Sequence, residues 1–382
     1  MADKQPVLKD LHMTIREYYD RLRQRNAVPP DSFGLELEME GLKGMGISDF
    51  MDAFGNTTGW AIHDDGSLRS GLEFVSSVPR AFEDLESDLV RLNRKLDRKE
   101  LFAPDFSLRT SVHVHMNVQD LTWLQVINLF VLYLMYEQAL IEFGGEERNG
   151  NVHCLSGLDA QSTVEIMRRA LIADIEPENA HIRTFGRNVF RGVVQQLTDR
   201  GRRYSALNFA AIPVFGTLEF RTHRGTRDTN TIMEWVTILR KLRIAAARYS
   251  NPQEIVADFS SKGHVRLAEE VWEGHPRLLG IVYQQRQQCW LGMRLAQEIA
   301  FSRANWKQTE VKAKTKVDKT LPLTGVEWGF NLINEAQAVN TPAPPAEEQL
   351  ERIRREADQR RAELMLRIAR EQRRLAERNR QQ

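Results

Sequence analysis

The segment 34–40, Gly-Leu-Glu-Leu-Glu-Met-Glu, alternates apolar and acidic residues with a period of two. This period predicts a β-strand, because successive side chains of a strand point to opposite faces. Glu36 and Glu38 then share one face, about 7 Å apart, and the apolar residues face a core. A solvated strand would alternate in the same way, but two carboxylates ~6 Å apart repel by ~3 kcal/mol at an effective dielectric of ~20. We therefore expect a cation over this face, either basic side chains or a metal ion.

Polar residues recur in the same way on three other short apolar segments. They are Glu73 in segment 72–76, His113 and His115 in segment 111–117, and Glu219 and Arg221 in segment 217–222. Taken singly, the histidines are compatible with an edge strand, and Glu219 with Arg221 is compatible with an ordinary ion pair. Each segment has apolar residues at the alternate positions, as in an antiparallel sheet that packs on helices. Together the four segments predict a sheet with one face lined by carboxylates, imidazoles and an arginine.

These residue types are suited to metal and phosphate chemistry. Carboxylates bind Mg²⁺, which usually also keeps substrate phosphates as ligands, and imidazole moves the preference towards Mn²⁺ without excluding Mg²⁺. The forked guanidinium of arginine fits a phosphate. The combination indicates nucleotide-dependent phosphoryl transfer or metal-assisted hydrolysis. The chain contains neither a GxxxxGK[ST] loop nor a Rossmann glycine fingerprint, so a nucleotide would be bound through metal ions.

Composition narrows the class of protein. The 382 residues are 42% hydrophobic, enough for a large core, and the formal net charge of +1 gives no field that would attract nucleic acid or an anionic membrane. The longest charge-free apolar stretch, 124–136, is too short to span a bilayer and predicts a buried helix. The two cysteines form no disulfide framework, and the N-terminus has no signal-peptide pattern. We therefore expect a cytoplasmic protein.

Helical spacing of apolar residues predicts helices over 10–25, 81–99, 165–174 and 231–249, and a mostly helical pattern over 251–334. A proline-rich linker then precedes a helix rich in arginine and glutamate. We divide the chain into an N-terminal helix (1–30), a catalytic domain (31–250), a helical extension (251–340) and the linker with its charged helix (341–382). Arg361 and Glu371 interrupt the heptad pattern of that last helix, which favours a solvated or partner-binding helix over a stable coiled coil. It is the expected route to a homo-oligomer or a protein partner.

Five motifs follow one another between Phe33 and Tyr249: Gly-x-Glu-x-Glu, Asp-Gly-Ser with a following Leu-Glu-Phe-Val-Ser, His-Val-His, Arg-Tyr-Ser-Ala-Leu-Asn, and Leu-Glu-Phe-Arg. In this order they resemble the amidoligase family of the glutamine synthetase and glutamate–cysteine ligase-like carboxylate–amine ligases. The resemblance implies an α+β fold in which an antiparallel, glutamine synthetase-like catalytic sheet packs on helices, with a helical C-terminal region. It also implies that the sheet holds ATP and Mg²⁺, that a substrate carboxylate attacks the γ-phosphate, and that an amine then displaces the acyl phosphate.

The resemblance assigns roles to residues of this sequence. It implies two metal sites, one near the acyl phosphate and one that bridges the ATP phosphates; the first would use Glu38 and Glu73, and the second Glu36, His113 and Glu219. It implies nucleotide contacts through His115, Arg203, Arg221 and Arg224. The catalytic residues it implies are Glu38, Arg203 and Arg221.

The chain departs from the family pattern at two places. Val112 replaces a glycine before His113. Near the place of the synthetases' second arginine this chain has Asn208, so Arg224 or Arg227 would have to help neutralise the charge of the transition state. The family's arginine with a cysteine a few residues later appears as Arg148 and Cys154, which we expect on the substrate side.

The sequence therefore predicts an ATP- and Mg²⁺-dependent ligase, with Mn²⁺ as an alternative ion, that forms an amide, peptide or isopeptide bond. Its substrates would be small-molecule or peptide carboxylates and amines, without nucleic-acid or membrane partners. Two other interpretations stay open. One is a metal-dependent small-molecule kinase or hydrolase on the same fold, and the other is a degenerate, non-catalytic scaffold.

Overall fold

An antiparallel sheet of seven strands organises the computed structural model, which describes residues 10–42, 47–48, 59–97, 104–157, 161–173 and 190–302. The strands are Ser32–Met39 (β1), Trp60–Asp64 (β2), Leu72–Ser76 (β3), Arg80–Ala81 (β4), Ser111–Asn117 (β5), Leu207–Asn208 (β6) and Thr217–Arg224 (β7). Their order is β2-β3-β1-β5-β7-β6, and the short β4 pairs with β1. The sheet packs on helices, which confirms the predicted α+β class.

The register of the sheet brings the polar residues of four strands together. Glu38 lies opposite Glu73, and Glu36 lies opposite His113. His115 lies opposite Glu219 on the next strand. Directly opposed residues place their side chains on the same face, so these side chains form one cluster. Because β5 lies between β1 and β7, the interpretation of its histidines as edge-strand residues is wrong.

The other face of the sheet is the core. The alternate residues of the central strands are buried, among them Leu35, Leu37, Val114 and Phe220. They belong to the same hydrophobic core as the helix Trp123–Gly144, hereafter the central helix.

The central helix starts at a capping box, in which the Thr122 hydroxyl accepts from the Gln125 amide and the Gln125 side chain accepts from the Thr122 amide. By length and composition alone it qualifies as a membrane-span candidate, but 89% of its most apolar window is buried inside the protein. The prediction of a buried core helix is therefore confirmed.

The remaining helices surround this core. They are Ile15–Tyr18, Asp20–Arg23, Phe82–Leu96, Gln161–Ala173, 190–197, Ile212–Phe215, Thr229–Arg248, Pro252–Val271, Pro276–Gln284 and Arg286–Ala300. The last three lie in the predicted helical extension, so the C-terminal region is helical as far as the structure describes it. The proline linker and the charged helix predicted after it lie outside the described residues.

The single helix predicted over 10–25 is wrong. The segment forms a 3-10 turn, Asp10–His12, and two short helices that are separated by Tyr19 in an extended conformation (φ −105°, ψ 113°). Thr14 forms a β-bridge with Thr122, and the Tyr19 ring packs beside Trp123 with centroids 6.4 Å apart. The apolar residues of this segment therefore pack against the start of the central helix instead of forming one face of a continuous helix.

Candidate metal and phosphate site

Glu36 lies at the centre of the polar face, between two imidazoles. Its Oε2 atom is 2.9 Å from His113 Nδ1, and its Oε1 atom is 2.9 Å from His115 Nε2. Burial alone would raise the pKa of Glu36, but His115 and His113 hold that pKa well below its usual range. Glu36 is therefore ionised at neutral pH, in a part of the protein where a carboxylate needs cationic partners.

Glu219 forms the second part of the cluster. One oxygen of its carboxylate pairs with Arg221 Nη1, and the other accepts a hydrogen bond of 2.7 Å from Asn208 Nδ2. Burial would raise the pKa of Glu219, but Arg221 and then the two histidines lower it. The Asn208 side chain thus orients the Glu219 carboxylate.

His115 lies between the two carboxylates. Its Nδ1 atom is 3.0 Å from Thr217 Oγ1, and its Nε2 atom faces Glu36. Burial alone would lower the pKa of His115, but Glu36 and then Glu219 raise it to about 8. The imidazole is therefore protonated at neutral pH and supplies part of the positive charge that the carboxylates require.

His113 is held in one orientation by Ser111, which precedes it by two residues on the same face of β5. Ser111 Oγ is 2.6 Å from Glu38 Oε2 and 2.7 Å from His113 Nε2. The Ser111 hydroxyl therefore bridges the Glu38 carboxylate and the imidazole. The Nδ1 atom on the other side of the ring faces Glu36 and Glu219, whose Oε1 atom lies 3.6 Å away. Metal-binding histidines are typically oriented by such a bond at the other ring nitrogen.

Glu38 and Glu73 form the third part of the cluster, opposite each other on β1 and β3. Burial, then Glu36 and Glu38, raises the pKa of Glu73 to about 9. A carboxyl group that keeps its proton at neutral pH beside the ionised Glu36 marks a place where positive charge is needed.

Three sets of ligand atoms in the described residues have the spacing of a metal site, each within 4.8 Å. They are Glu36 with His115 and Glu219, Glu36 with Glu73 and His113, and Glu38 with Asp65 and Glu73. The sets share Glu36 and Glu73, as expected of neighbouring ions with bridging carboxylates. Each set consists of carboxylates with at most one imidazole. Such ligands fit Mg²⁺ or Mn²⁺, so the donor sets fit the ions that the sequence predicts.

The structure brings one of the predicted arginines into this cluster. Arg221 is mostly buried, pairs with Glu219, and donates from Nε to the His153 carbonyl at 3.3 Å. Arg203 is exposed at the margin, where its guanidinium lies over the Tyr204 ring and donates to the Tyr204 hydroxyl at 2.7 Å.

The two other candidate arginines lie farther out. Arg224 ends β7, is half-exposed, and lies 4.0 Å from Glu147. Arg227 pairs with Asp97 at 2.6 Å, on the side of the helix Phe82–Leu96, so Arg224 is the better placed of the two to meet a phosphate.

Comparison with known families bears on this geometry. The family model described as "Putative amidoligase enzyme" matches residues 56–243, which contain β2 to β7 and therefore Glu73, both histidines and Glu219. Residues 56–243 belong to the amidoligase family. No curated protein matches the chain. Strand β1 precedes the matched segment, and the sheet places its Glu36 and Glu38 among the side chains of the amidoligase region.

We expected Arg148 and Cys154 on the substrate side of the sheet. Both are buried, and Arg148 Nη2 donates to the Arg221 carbonyl at 2.8 Å, while burial raises the pKa of the Cys154 thiol to about 11. Arg148 therefore supports the backbone of β7 beneath Arg221. Glu40 also has a structural contact, because its side chain accepts from the Arg69 amide at 2.7 Å.

Sequence reasoning missed Asp65 and Ser111. Asp65 lies in the turn between β2 and β3, where its Oδ1 atom accepts from the Ser67 amide at 2.7 Å. The Asp-Gly-Ser motif contains it, but a turn residue has no period that fixes its direction. Ser111 did carry a usable signal, because it stands two residues before His113 on the same predicted strand.

Proposed function

We propose that this protein is an ATP- and Mg²⁺-dependent carboxylate–amine ligase that forms an amide bond through an acyl phosphate. The observation that carries the proposal is the cluster centred on Glu36, in which three overlapping ligand sets and Arg221 share one face of the sheet. Membership of residues 56–243 in the amidoligase family supports a ligase.

In this proposal the acidic cluster holds the divalent ions. Glu36, His113, His115 and Glu219 would bind at the β5–β7 side, and Glu38, Asp65 and Glu73 at the β3 side. Bound ions would neutralise phosphate charge and lower the barrier to phosphoryl transfer. His115 therefore has two candidate roles, as a ligand and as the phosphate contact that the sequence predicts.

The arginines provide the other positive charge. Arg221 is desolvated and fixed through Glu219 and His153, so it is pre-organised to hold a phosphate in its fork. Arg203 and Arg224 are exposed beside it and would meet the nucleotide or the transferred phosphoryl group. Such fixed charges stabilise the charge that develops on phosphoryl oxygens.

The proposed reaction balances in two steps. A substrate carboxylate oxygen forms a bond to the γ-phosphorus while the bond to the β–γ bridging oxygen breaks, which releases ADP. The amine nitrogen then attacks the acyl carbon, phosphate leaves, and the nitrogen loses one proton. A carboxylate is inert to amines at neutral pH until its oxygen becomes a leaving group, which is why ATP is required. The cytoplasm, which supplies ATP, is the proposed location, in keeping with two free cysteines.

Trapping with hydroxylamine tests this proposal. The full-length protein is incubated with ATP, Mg²⁺, hydroxylamine and a panel of amino acids and short peptides, and hydroxamate and ADP are measured. We expect equal amounts of both products from wild type and from Glu269→Gln, an exposed glutamate on the helix Pro252–Val271. Glu36→Gln should yield neither product. ADP without hydroxamate across the panel would instead support the kinase or hydrolase interpretation.

A further inference from the structure

Exposed apolar side chains concentrate at one margin of the site. Nine large hydrophobic side chains are exposed in the part of the chain that the structure describes, and five of them lie on three neighbouring loops. These five, hereafter the apolar rim, are Phe106, Leu108, Val152, Leu155 and Tyr204. Exposed apolar residues that group into a patch often mark a binding site.

Hydrogen bonds join the three loops into one surface. The Asn151 side chain donates to the Leu108 carbonyl at 2.8 Å, which ties the first loop to the second. The Leu155 amide donates to the Tyr204 carbonyl at 2.8 Å, and the His153 ring packs against the Tyr204 ring with centroids 5.6 Å apart. The rim is therefore built into the fold.

The same loops reach the acidic cluster from two directions. The His153 carbonyl accepts from Arg221, the arginine that pairs with Glu219. Arg109 donates to the Ser67 carbonyl at 2.9 Å, and the Ser67 amide in turn donates to Asp65. A ligand on the rim therefore lies next to the metal ligands of the β3 side and to Arg221.

Three arginines place positive charge along this surface. Arg109, Arg203 and Arg224 are exposed along it. Among the described residues neither Arg109 nor Arg203 makes an ion pair, and the nearest carboxylate to Arg224 is Glu147 at 4.0 Å. A surface that is both apolar and cationic is complementary to an acidic peptide with apolar side chains.

We propose that the apolar rim docks the carboxylate substrate, and that this substrate is an acidic peptide with apolar side chains next to the reacting carboxylate. The inference rests on the proposed ligase function and names its substrate class. A free amino acid has one side chain, whereas a peptide contacts the rim with several while its carboxylate reaches the cluster.

Peptide binding by the full-length protein without ATP tests the inference. The probe is fluorescein-labelled Leu-Phe-Glu-Glu, and the comparison peptides are Gly-Gly-Glu-Glu and Leu-Phe-Lys-Lys, all measured by fluorescence anisotropy. We expect the probe to bind at least tenfold more tightly than either comparison peptide. The double variant Leu108→Ser/Val152→Ser should weaken its binding at least tenfold. Leu291→Ser, which changes an exposed leucine on the helix Arg286–Ala300, should leave binding unchanged.

Three results of the binding and sedimentation experiments would overturn the inference. Equal binding of the three peptides would show that the surface has no such preference, and unchanged binding by the double variant would place the peptide elsewhere. The wild type could instead sediment as a dimer and bind no peptide, while the double variant sediments as a monomer. That result would show that a second copy of the chain occupies the rim. Arg109→Gln gives an independent variant if the double variant fails to fold, and it should also weaken probe binding.

The same samples separate this inference from the proposed function. If the wild type binds the probe as expected but binds no Mg²⁺-ATP, the ligase proposal fails and the rim stands as a peptide site. If the double variant keeps normal Mg²⁺-ATP binding and hydroxamate formation with every peptide, the rim inference fails and the ligase proposal stands.

Discussion

Glu73→Gln should remove a pH-dependent loss of stability from the metal-free protein. Burial, then Glu36 and Glu38, raises the pKa of Glu73 from its ordinary value of 4.5 to about 9. Between these two pH values the folded protein keeps a proton that the unfolded chain has released. The free energy of unfolding of the wild type must therefore fall as pH rises through this range. Glutamine mimics the protonated carboxyl group and has nothing to titrate.

The size of this change in stability follows from the raised pKa of Glu73. Each pH unit between the two pKa values corresponds to about 1.4 kcal/mol, so the change from pH 5 to pH 8 is at most ~4 kcal/mol. Residual contact of Glu73 with solvent screens part of this energy. We therefore expect the free energy of unfolding to fall by ~2–4 kcal/mol between pH 5 and pH 8. For a protein of this size 1 kcal/mol corresponds to ~2 °C in melting temperature, which gives ~4–8 °C. His115, with a pKa raised to about 8, also loses stabilising charge as pH rises, but it does so in both proteins.

The assay is thermal melting in EDTA at pH 5, 6, 7 and 8, with Glu269→Gln as the control. The melting temperature of Glu73→Gln should rise relative to wild type as pH increases. Added Mn²⁺ at pH 8 should stabilise the wild type more than Glu73→Gln, because binding requires the ionised carboxylate. Parallel pH curves for the two proteins would show that Glu73 does not carry the electrostatic strain we assign to it.

Three further substitutions test separate parts of the structure. Ser111→Ala removes the hydroxyl that joins a carboxylate and an imidazole of the cluster, and should weaken Mn²⁺ binding at least ~10-fold in calorimetry; unchanged affinity would contradict its orienting role. Arg221→Lys should lower the hydroxamate yield more than ~10-fold, because lysine cannot form the bidentate phosphate contact; a yield near wild type would remove Arg221 from phosphate binding. Gly292→Ala would place a Cβ atom 2.0 Å from the Leu134 carbonyl oxygen and should cost ~1–3 kcal/mol in urea unfolding. The control Gly280→Ala, whose added Cβ atom meets nothing within 4 Å, should leave the free energy of unfolding unchanged. Equal stability of the two variants would contradict the close packing of Gly292 against the central helix.

The sequence predicted the polar face of the sheet because its signal is local. Period two fixes the face of each side chain within one strand, so Glu36, His113 and Glu219 could be assigned to a common surface before their order was known. Antiparallel pairing then brings side chains on that face into contact. The central helix was equally predictable, because a charge-free apolar run that is too short to span a bilayer is expected in the core.

The parts that were missed depend on contacts between distant segments. Asp65 reaches the cluster from a turn, and Arg148 is directed under β7 by the fold around it. The N-terminal segment has helical spacing, yet Tyr19 and Thr14 make contacts with the start of the central helix that break the helix. Periodicity within a segment contains no information on such neighbours.

Anomalous diffraction from crystals grown with Mn²⁺ and a non-hydrolysable ATP analogue tests the central claim most directly. The account predicts at least two Mn²⁺ peaks on the open face of the sheet, bonded to Glu36, Glu73 and their partner ligands, with the analogue's phosphates beside Arg221. Peaks confined to other parts of the surface, or a nucleotide bound away from this cluster, would contradict it.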